Sequence, residues 1–402
     1  MDNTHSTKTS LIPVRWRQPE ILLLLMAVGV PLSFASWMTL IDNFSIHEAG
    51  FTGREIGILQ SLREVPGFLA FCVIYLLLII REQRLAYVSL AVLGLGTALT
   101  GFFPTAFGLY ITTVIMSMGF HYYETLQNSL TLQWIDKERA PEVFGRLLAA
   151  GSVASVLAFG LIWLAFGQLE VGYRWVYAMA GGATLCIAIV AWLGFPEFPQ
   201  KVTQHKHLVL RKRYWLYYAL VFMSGARRQI FVVFAGFLLV EKFGYAVEQI
   251  ALLFLLNAVI NIWLGPVVGR LIGRIGERNA LILEYLGLIV IFTAYAFVDS
   301  ATVAAALYVI DHLFFALAIA IKTYFQKIAD PADIASTAGV SFTINHIAAV
   351  VLPVGFGLLW LISPAAVFLS GAAMALVSLL LSLLVPKPAL LKMQAHQPLS
   401  GS

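Results

Sequence analysis

The chain has 402 residues, of which 60% are hydrophobic and only 12% charged, with a formal net charge of +5 and a mean hydropathy of +0.85. These values lie far from those of soluble domains and set the class as an integral membrane protein. They exclude a nucleic-acid binder, because the basic residues fall in short loops between apolar runs, where membrane topology signals sit. Cys72 and Cys186 lie inside apolar runs without metal-ligand spacing, so no disulfide, metal site or cofactor is expected.

In chain order, about twelve apolar segments are long enough to cross a bilayer of roughly 30 Å. The first half holds Glu20 to Asp42, Glu55 to Ile80, Leu85 to Phe103, Phe107 to Trp134, Phe144 to Gly167 and Tyr173 to Phe195. The second holds Tyr214 to Val240, Val247 to Ile272, Asn279 to Val298, Ala301 to Gln326, Ser336 to Trp360 and Pro364 to Val385. The first segment is longer than a signal-peptide core and lacks a small-residue cleavage site, so it is expected to remain as a helix.

The seventh segment carries Arg227 and Arg228 midway along an apolar run. At about 1.5 Å per residue the pair lies about 20 Å inside it. A guanidinium there costs about 2.5 kcal/mol or more and does not shed its charge, so it needs a polar cavity or a partner. A cavity that prefers an anion is the expected consequence.

The loop charges set the expected orientation. With a cytoplasmic N-terminus, that side receives Arg15, Arg17, Arg81, Arg84, Arg270, Arg274, Arg278 and most other loop lysines and arginines, while the opposite side receives Arg54, Arg174 and Lys242. This bias places both termini inside, in the cell (inner) membrane. The domain organisation expected is an N-terminal six-helix bundle over 1–195, a cytoplasmic linker over 196–213, a C-terminal six-helix bundle over 214–385 and a short cytoplasmic tail over 386–402. A shift of 193 residues lays Glu20 on Arg213 and Arg81 on Arg274, and segment limits follow the same shift. Two halves related in this way imply a parallel repeat about an axis along the membrane normal.

Between the eighth and ninth segments, Gly269, Arg274, Gly276 and Arg278 occupy the positions of a loop signature that runs glycine, three residues, aspartate, arginine, any residue, glycine, a basic residue, arginine. Gly273 stands in place of the aspartate and Glu277 in place of the basic residue. The chain thus resembles the major facilitator superfamily, over nearly its whole length, and the general bacterial permeases within it. The resemblance implies an all-α membrane protein of about twelve transmembrane helices in two six-helix bundles with pseudo-twofold symmetry, a secondary transporter and not an enzyme. It also implies that segments one, four, seven and ten line a central cavity.

Those segments hold the polar residues expected to act. The fourth carries His121, Tyr122 and Glu124, with His121, Glu124, Thr125 and Asn128 sharing a helix face. The tenth carries Asp311 and His312. Substrate binding is expected at Arg227, Arg228, His121, Tyr122, Asp311 and His312, and proton coupling at His121, Glu124 and Asp311. Gating or ion pairing is expected at Arg63, Glu64, Gly269, Arg274, Gly276 and Arg278. Adjacent on a helix, Arg63 and Glu64 point about 100° apart, so each is expected to pair with a neighbouring helix. Glu284 and Lys322 lie near the cytoplasmic ends of their segments and are expected to reach the interface or gate contacts.

The expected function is alternating-access transport of a small organic solute, an anion, by a monomer, with protons as a coupling ion and the lipid bilayer as surroundings. Extrusion of lipophilic cations, with Glu124, Asp311 and Glu64 as acceptors, is the alternative within transport, and the buried arginines oppose it. A membrane-embedded enzyme lacks a nucleophile motif, a phosphate loop or metal spacing, and a non-transporting sensor lacks an output domain.

Overall fold

The computed structural model describes residues 13–135, 140–199, 210–329 and 334–386. Much of the stretch 196–213 and nearly all of the tail from 386 lie outside the described residues. Among the described residues the chain is helical with no strand. Eight helices are long and apolar enough to cross a membrane, and Val247–Ile260 is a shorter apolar stretch.

The helices follow the expected order: α1 (Pro19–Ala49), α2 (Gly53–Phe68), α3 (Glu82–Thr100), α4 (Ala106–Trp134), α5 (Ala140–Gly167) and α6 (Tyr173–Gly194). The second half holds α7 (Lys212–Glu241), α8 (Val247–Ile275), α9 (Glu277–Ala296), α10 (Ala301–Ile328), α11 (Ile334–Ile362) and α12 (Pro364–Ser382). Their starts have local causes. Thr105 caps α4 by accepting from Gly108 N at 3.1 Å, and Ser363 caps α12 by accepting from Ala366 N at 3.2 Å, with Pro364 in the first turn. Gly276 ends α8 and opens α9 with φ +80°, a conformation that suits a residue without Cβ.

Three segments expected as continuous are irregular. α2 gives way to a 3-10 turn at Leu69–Cys72 and a short helix ending at Leu76, just after Pro66 removes an amide donor. α7 winds as a π-helix over Ile230–Ala235, immediately beyond the two arginines, and α10 tightens to a 3-10 turn over Ala316–Ala318.

The chain divides into two compact units, one of residues 1–40 and 69–204 and the other of residues 41–68 and 205–402. In the first, α3 packs against both α4 and α6. Thr184 of α6 ties to α1, accepting from Ser33 Oγ at 2.8 Å and donating to Gly29 O at 2.7 Å. Hydroxyls between membrane helices hold them together in this way because hydrocarbon offers no competing partner.

In the second unit, α2 packs on α11 and α9 on α12. The α2–α11 contact is made by backbone: a Cβ at Gly57 would meet Pro353 O at 2.4 Å, and one at Gly357 would meet Gly53 O at 2.4 Å. Ser61 Oγ accepts from Val354 N at 3.2 Å across the same contact. A second apolar cluster joins α7, α9 and α10 around Tyr217, Leu220, Tyr285 and Phe325, with Tyr217 stacked on Phe325 at 4.2 Å.

Candidate functional site

The second unit buries a charged cluster where α7, α9 and α10 meet. Arg227 is fully buried. Its Nη2 lies 3.5 Å from Glu284 Oε1, its Nε donates to Met223 O at 3.2 Å, and its guanidinium carbon stands 4.4 Å from the centre of the Tyr285 ring. Glu284 is also fully buried, which corrects its expected place at the interface. One guanidinium nitrogen reaches one carboxylate oxygen, while Arg227 Nη1 and Glu284 Oε2 have no hydrogen-bond partner among the described residues, so charge attraction and not a two-bond fork holds the pair.

Asp311 on α10 is fully buried and lies within the field of both Arg227 and Glu284. Among the described residues neither of its carboxylate oxygens has a hydrogen-bond partner. The carboxylate that touches Arg227 is therefore Glu284 and not Asp311. One guanidinium facing two buried carboxylates is a strongly polar core for a membrane unit.

Arg228 differs from its neighbour. It is exposed, makes no ion pair among the described residues and interacts electrostatically with His312. Adjacent helix positions point about 100° apart, so one arginine turns into the packed core while the other turns out of it. Around His312 lie Phe231 at 5.4 Å and Tyr308 at 6.2 Å between ring centres. The π-turn begins at Ile230, two residues past Arg228, and such turns are frequent at functional sites because they re-aim the following side chains.

Arg63 and Glu64 contradict the expectation that each pairs with another helix alone. Arg63 Nε and Nη2 donate to Glu64 Oε1 at 3.0 and 2.6 Å, because the long arginine stem folds back over the intervening angle. Glu64 also reaches α11, with its Oε2 3.7 Å from His346 Nε2. Arg63 further interacts with Asp42, within α1.

In the first unit, His121 is buried on α4, and Tyr122 and Glu124 are half-buried. Phe120 stacks on Phe34 of α1 with ring centres 4.0 Å apart. Asn345, on α11 of the second unit, packs where a Cβ at Gly225 would come within 2.7 Å of its amide nitrogen.

The loop residues divide as well. Gly269 is exposed with open space around it, so it serves no close approach. Arg274 is exposed and Arg278 half-buried. Glu277, the residue that departs from the signature, is buried and lies 2.5 Å from Lys327 Nζ at the end of α10. The first unit holds an equivalent contact: buried Glu82, the first residue of α3, accepts from Gln133 Nε2 at 2.7 Å near the end of α4. Arg81 and Arg84 both hydrogen-bond Glu197, beyond α6. Sequence reasoning missed Glu284, Glu82 and Glu197 as partners. The signal for Glu284 was a lone carboxylate within an apolar run.

The family model described as Major Facilitator Superfamily matches residues 21–353, most of the chain. The chain belongs to the major facilitator superfamily. Among solved structures, the nucleoside transporter NupG, as a point mutant, is similar with a TM-score of 0.75 at 15% identity, over 92% of this chain and 100% of that one. A bacterial homologue of the human lysosomal transporter Spinster, inward-facing and unoccupied, is similar with a TM-score of 0.68 at 15% identity, over 91% of this chain and 95% of that one. No curated protein matches the sequence. The chain is thus a multi-pass membrane transporter of this superfamily, a secondary transporter of a small solute with no enzymatic role.

Proposed function

We propose that this protein moves a small organic anion across the cell's inner membrane as a monomer by alternating access, with both termini cytoplasmic and with protons as the coupling ion. The observation that carries the anion preference is the inequality of the two arginines. Arg227 is neutralised by Glu284, whereas Arg228 is exposed near the middle of an apolar helix without a carboxylate partner among the described residues. A permanent charge at that depth is tolerated where water or a bound anion meets it, and its fork suits a carboxylate or phosphate.

In this reading Arg228 and His312 bind the anion, with Tyr122 and His121 contributing from α4, and Arg227 shapes the site from behind. Proton coupling is assigned to Asp311, His121 and Glu124, the carboxylates and histidine that α4 and α10 carry inside their apolar runs. Gating is assigned to the Arg63–Glu64 ion pair and to the α8–α9 turn that carries Gly269, Arg274, Gly276 and Arg278.

The test is a thermal-shift screen of the purified protein against organic anions, organic cations, sugars and a nucleoside, the last being the neutral solute class named for NupG. Anions alone should raise the melting temperature, by mass action on the folded state. The same anions should fail on Arg228→Gln, which keeps the parent's unliganded melting temperature. Stabilisation by lipophilic cations, or an unchanged anion response in Arg228→Gln, overturns the reading.

A further inference from the structure

On the first unit, α3 and α6 leave an apolar groove of about 380 Å³, lined by residues that include Tyr87, Val88, Leu95, Leu185, Ile189 and Trp192. Several of these side chains are turned outward, with Leu95 44%, Ile189 54% and Trp192 49% exposed. In a membrane protein such a surface meets acyl chains. At one end of the groove Tyr87 and Trp192 lie 5.8 Å apart between ring centres, and paired amphipathic rings of this kind mark the headgroup level of a bilayer.

Immediately beyond those rings lies a second cavity of about 200 Å³, lined by Arg81, Gln83, Trp134, Glu197 and Phe198 among others. Gln83 joins the two spaces: it lines the cavity, and its Nε2 donates to the Tyr87 hydroxyl of the groove at 2.6 Å. Trp134 is 7% exposed, and its Nε1 has no hydrogen-bond partner among the described residues. Arg81 and Arg84, both exposed, face the single exposed carboxylate of Glu197, while the carboxylate of Glu82 between them is buried and accepts from Gln133, so the open side of this corner presents two guanidinium groups to one carboxylate.

We propose that groove and cavity are two parts of one binding site for a membrane phospholipid with an anionic headgroup. One acyl chain lies along α3 and α6 between Leu95 and Trp192. The phosphate sits beyond the aromatic pair, where Arg81 and Arg84 supply charge and the Trp134 indole supplies a hydrogen-bond donor. The phosphate and Glu197 compete for the same two guanidinium groups, so lipid occupancy loosens the tie between the start of α3 and the segment after α6. The two exposed guanidinium groups, opposed by one exposed carboxylate, select an anionic headgroup.

Native mass spectrometry of the full-length protein in detergent, with phosphatidylglycerol, phosphatidylcholine or glycerol 3-phosphate added, tests the site. The parent should retain phosphatidylglycerol in preference to phosphatidylcholine and should not retain glycerol 3-phosphate. Arg81→Gln and Arg84→Gln should each lower that preference roughly fivefold. Glu197→Gln breaks the same charge contact but frees both arginines, so it should raise the preference, a direction that misfolding does not produce. Ala91→Phe, in the groove, should lower retention of both lipids. Equal retention of the two lipids by the parent overturns the proposal, as does an unchanged preference in the doubly substituted arginine variant. Retention of glycerol 3-phosphate as tight as that of phosphatidylglycerol removes the groove from the site.

Discussion

Arg227 and Glu284 meet at 3.5 Å with neither side chain reaching solvent. The contact joins α7 to α9 and places the guanidinium over the neighbouring Tyr285 ring. In a low-dielectric interior the pair is held together because separating it strands a charge, so the ion pair specifies which helix faces meet more than it adds stability.

Replacing Glu284 by Gln leaves Arg227 charged and buried. The unfolding free energy should fall by about 3–5 kcal/mol, the usual result of removing one partner of a buried pair. Replacing both, as Arg227→Met with Glu284→Leu, should recover most of that loss. Melting of the purified variants decides it, and a Glu284→Gln protein as stable as the parent would show that the contact carries no structural role.

The α2–α11 contact should tolerate no added carbon. Gly57→Ala and Gly357→Ala each place a methyl 2.4 Å from a carbonyl oxygen, an overpacking that costs about 1–3 kcal/mol. The backbone has to part. Cysteines introduced as Ser61→Cys and Val354→Cys should crosslink efficiently in the parent background and poorly when Gly57→Ala is added.

Glu277 and Glu82 begin α9 and α3 and are both buried, but their partners differ in charge. Lys327→Met strands a carboxylate whose partner was a cation, and should destabilise by about 1–3 kcal/mol. Gln133→Leu removes one neutral donor from Glu82, which has further partners, and should cost less. Paired melting curves give the order, and the reverse order would refute the assignment.

The clamp beyond α6 predicts a pH dependence. Desolvation raises the Glu197 carboxyl, but hydrogen bonds from Arg84 and Arg81 and their charges together outweigh it, holding the group below its ordinary value of 4.5. A carboxyl depressed on folding adds stability that is full above the unfolded value and is lost as pH falls through the folded one. The melting difference between parent and Glu197→Gln should therefore be present near neutral pH and shrink on acidification below the ordinary value. Because the group is exposed, the difference should also shrink in high salt. A difference that grows with acid would contradict the clamp.

Much of the architecture was legible in one dimension. The order of long apolar helices follows from the length a helix needs to cross hydrocarbon, and this requirement is written residue by residue. The polar residues inside those helices stood out for the same reason: Arg227, Arg228, Asp311 and His121 are each costly where they are. Breaks in the rods were less legible. Pro66 signals the end of α2, but no residue pattern announces the π-turn after Gln229.

Partner choice was hidden. Arg227 and Arg228 are equivalent as letters, and Arg63 beside Glu64 reads as two charges each paired with a neighbouring helix, yet one arginine is locked to Glu284 and the adjacent pair closes on itself. Sequence alone therefore determined that this is a multi-helix membrane protein with charge placed deep inside it, since hydropathy is a property of each residue in its own segment. Which of those charges is spent on another helix and which stays open was decided only when the helices packed, because a side chain's reach depends on rotation about the helix axis and on the neighbour it meets.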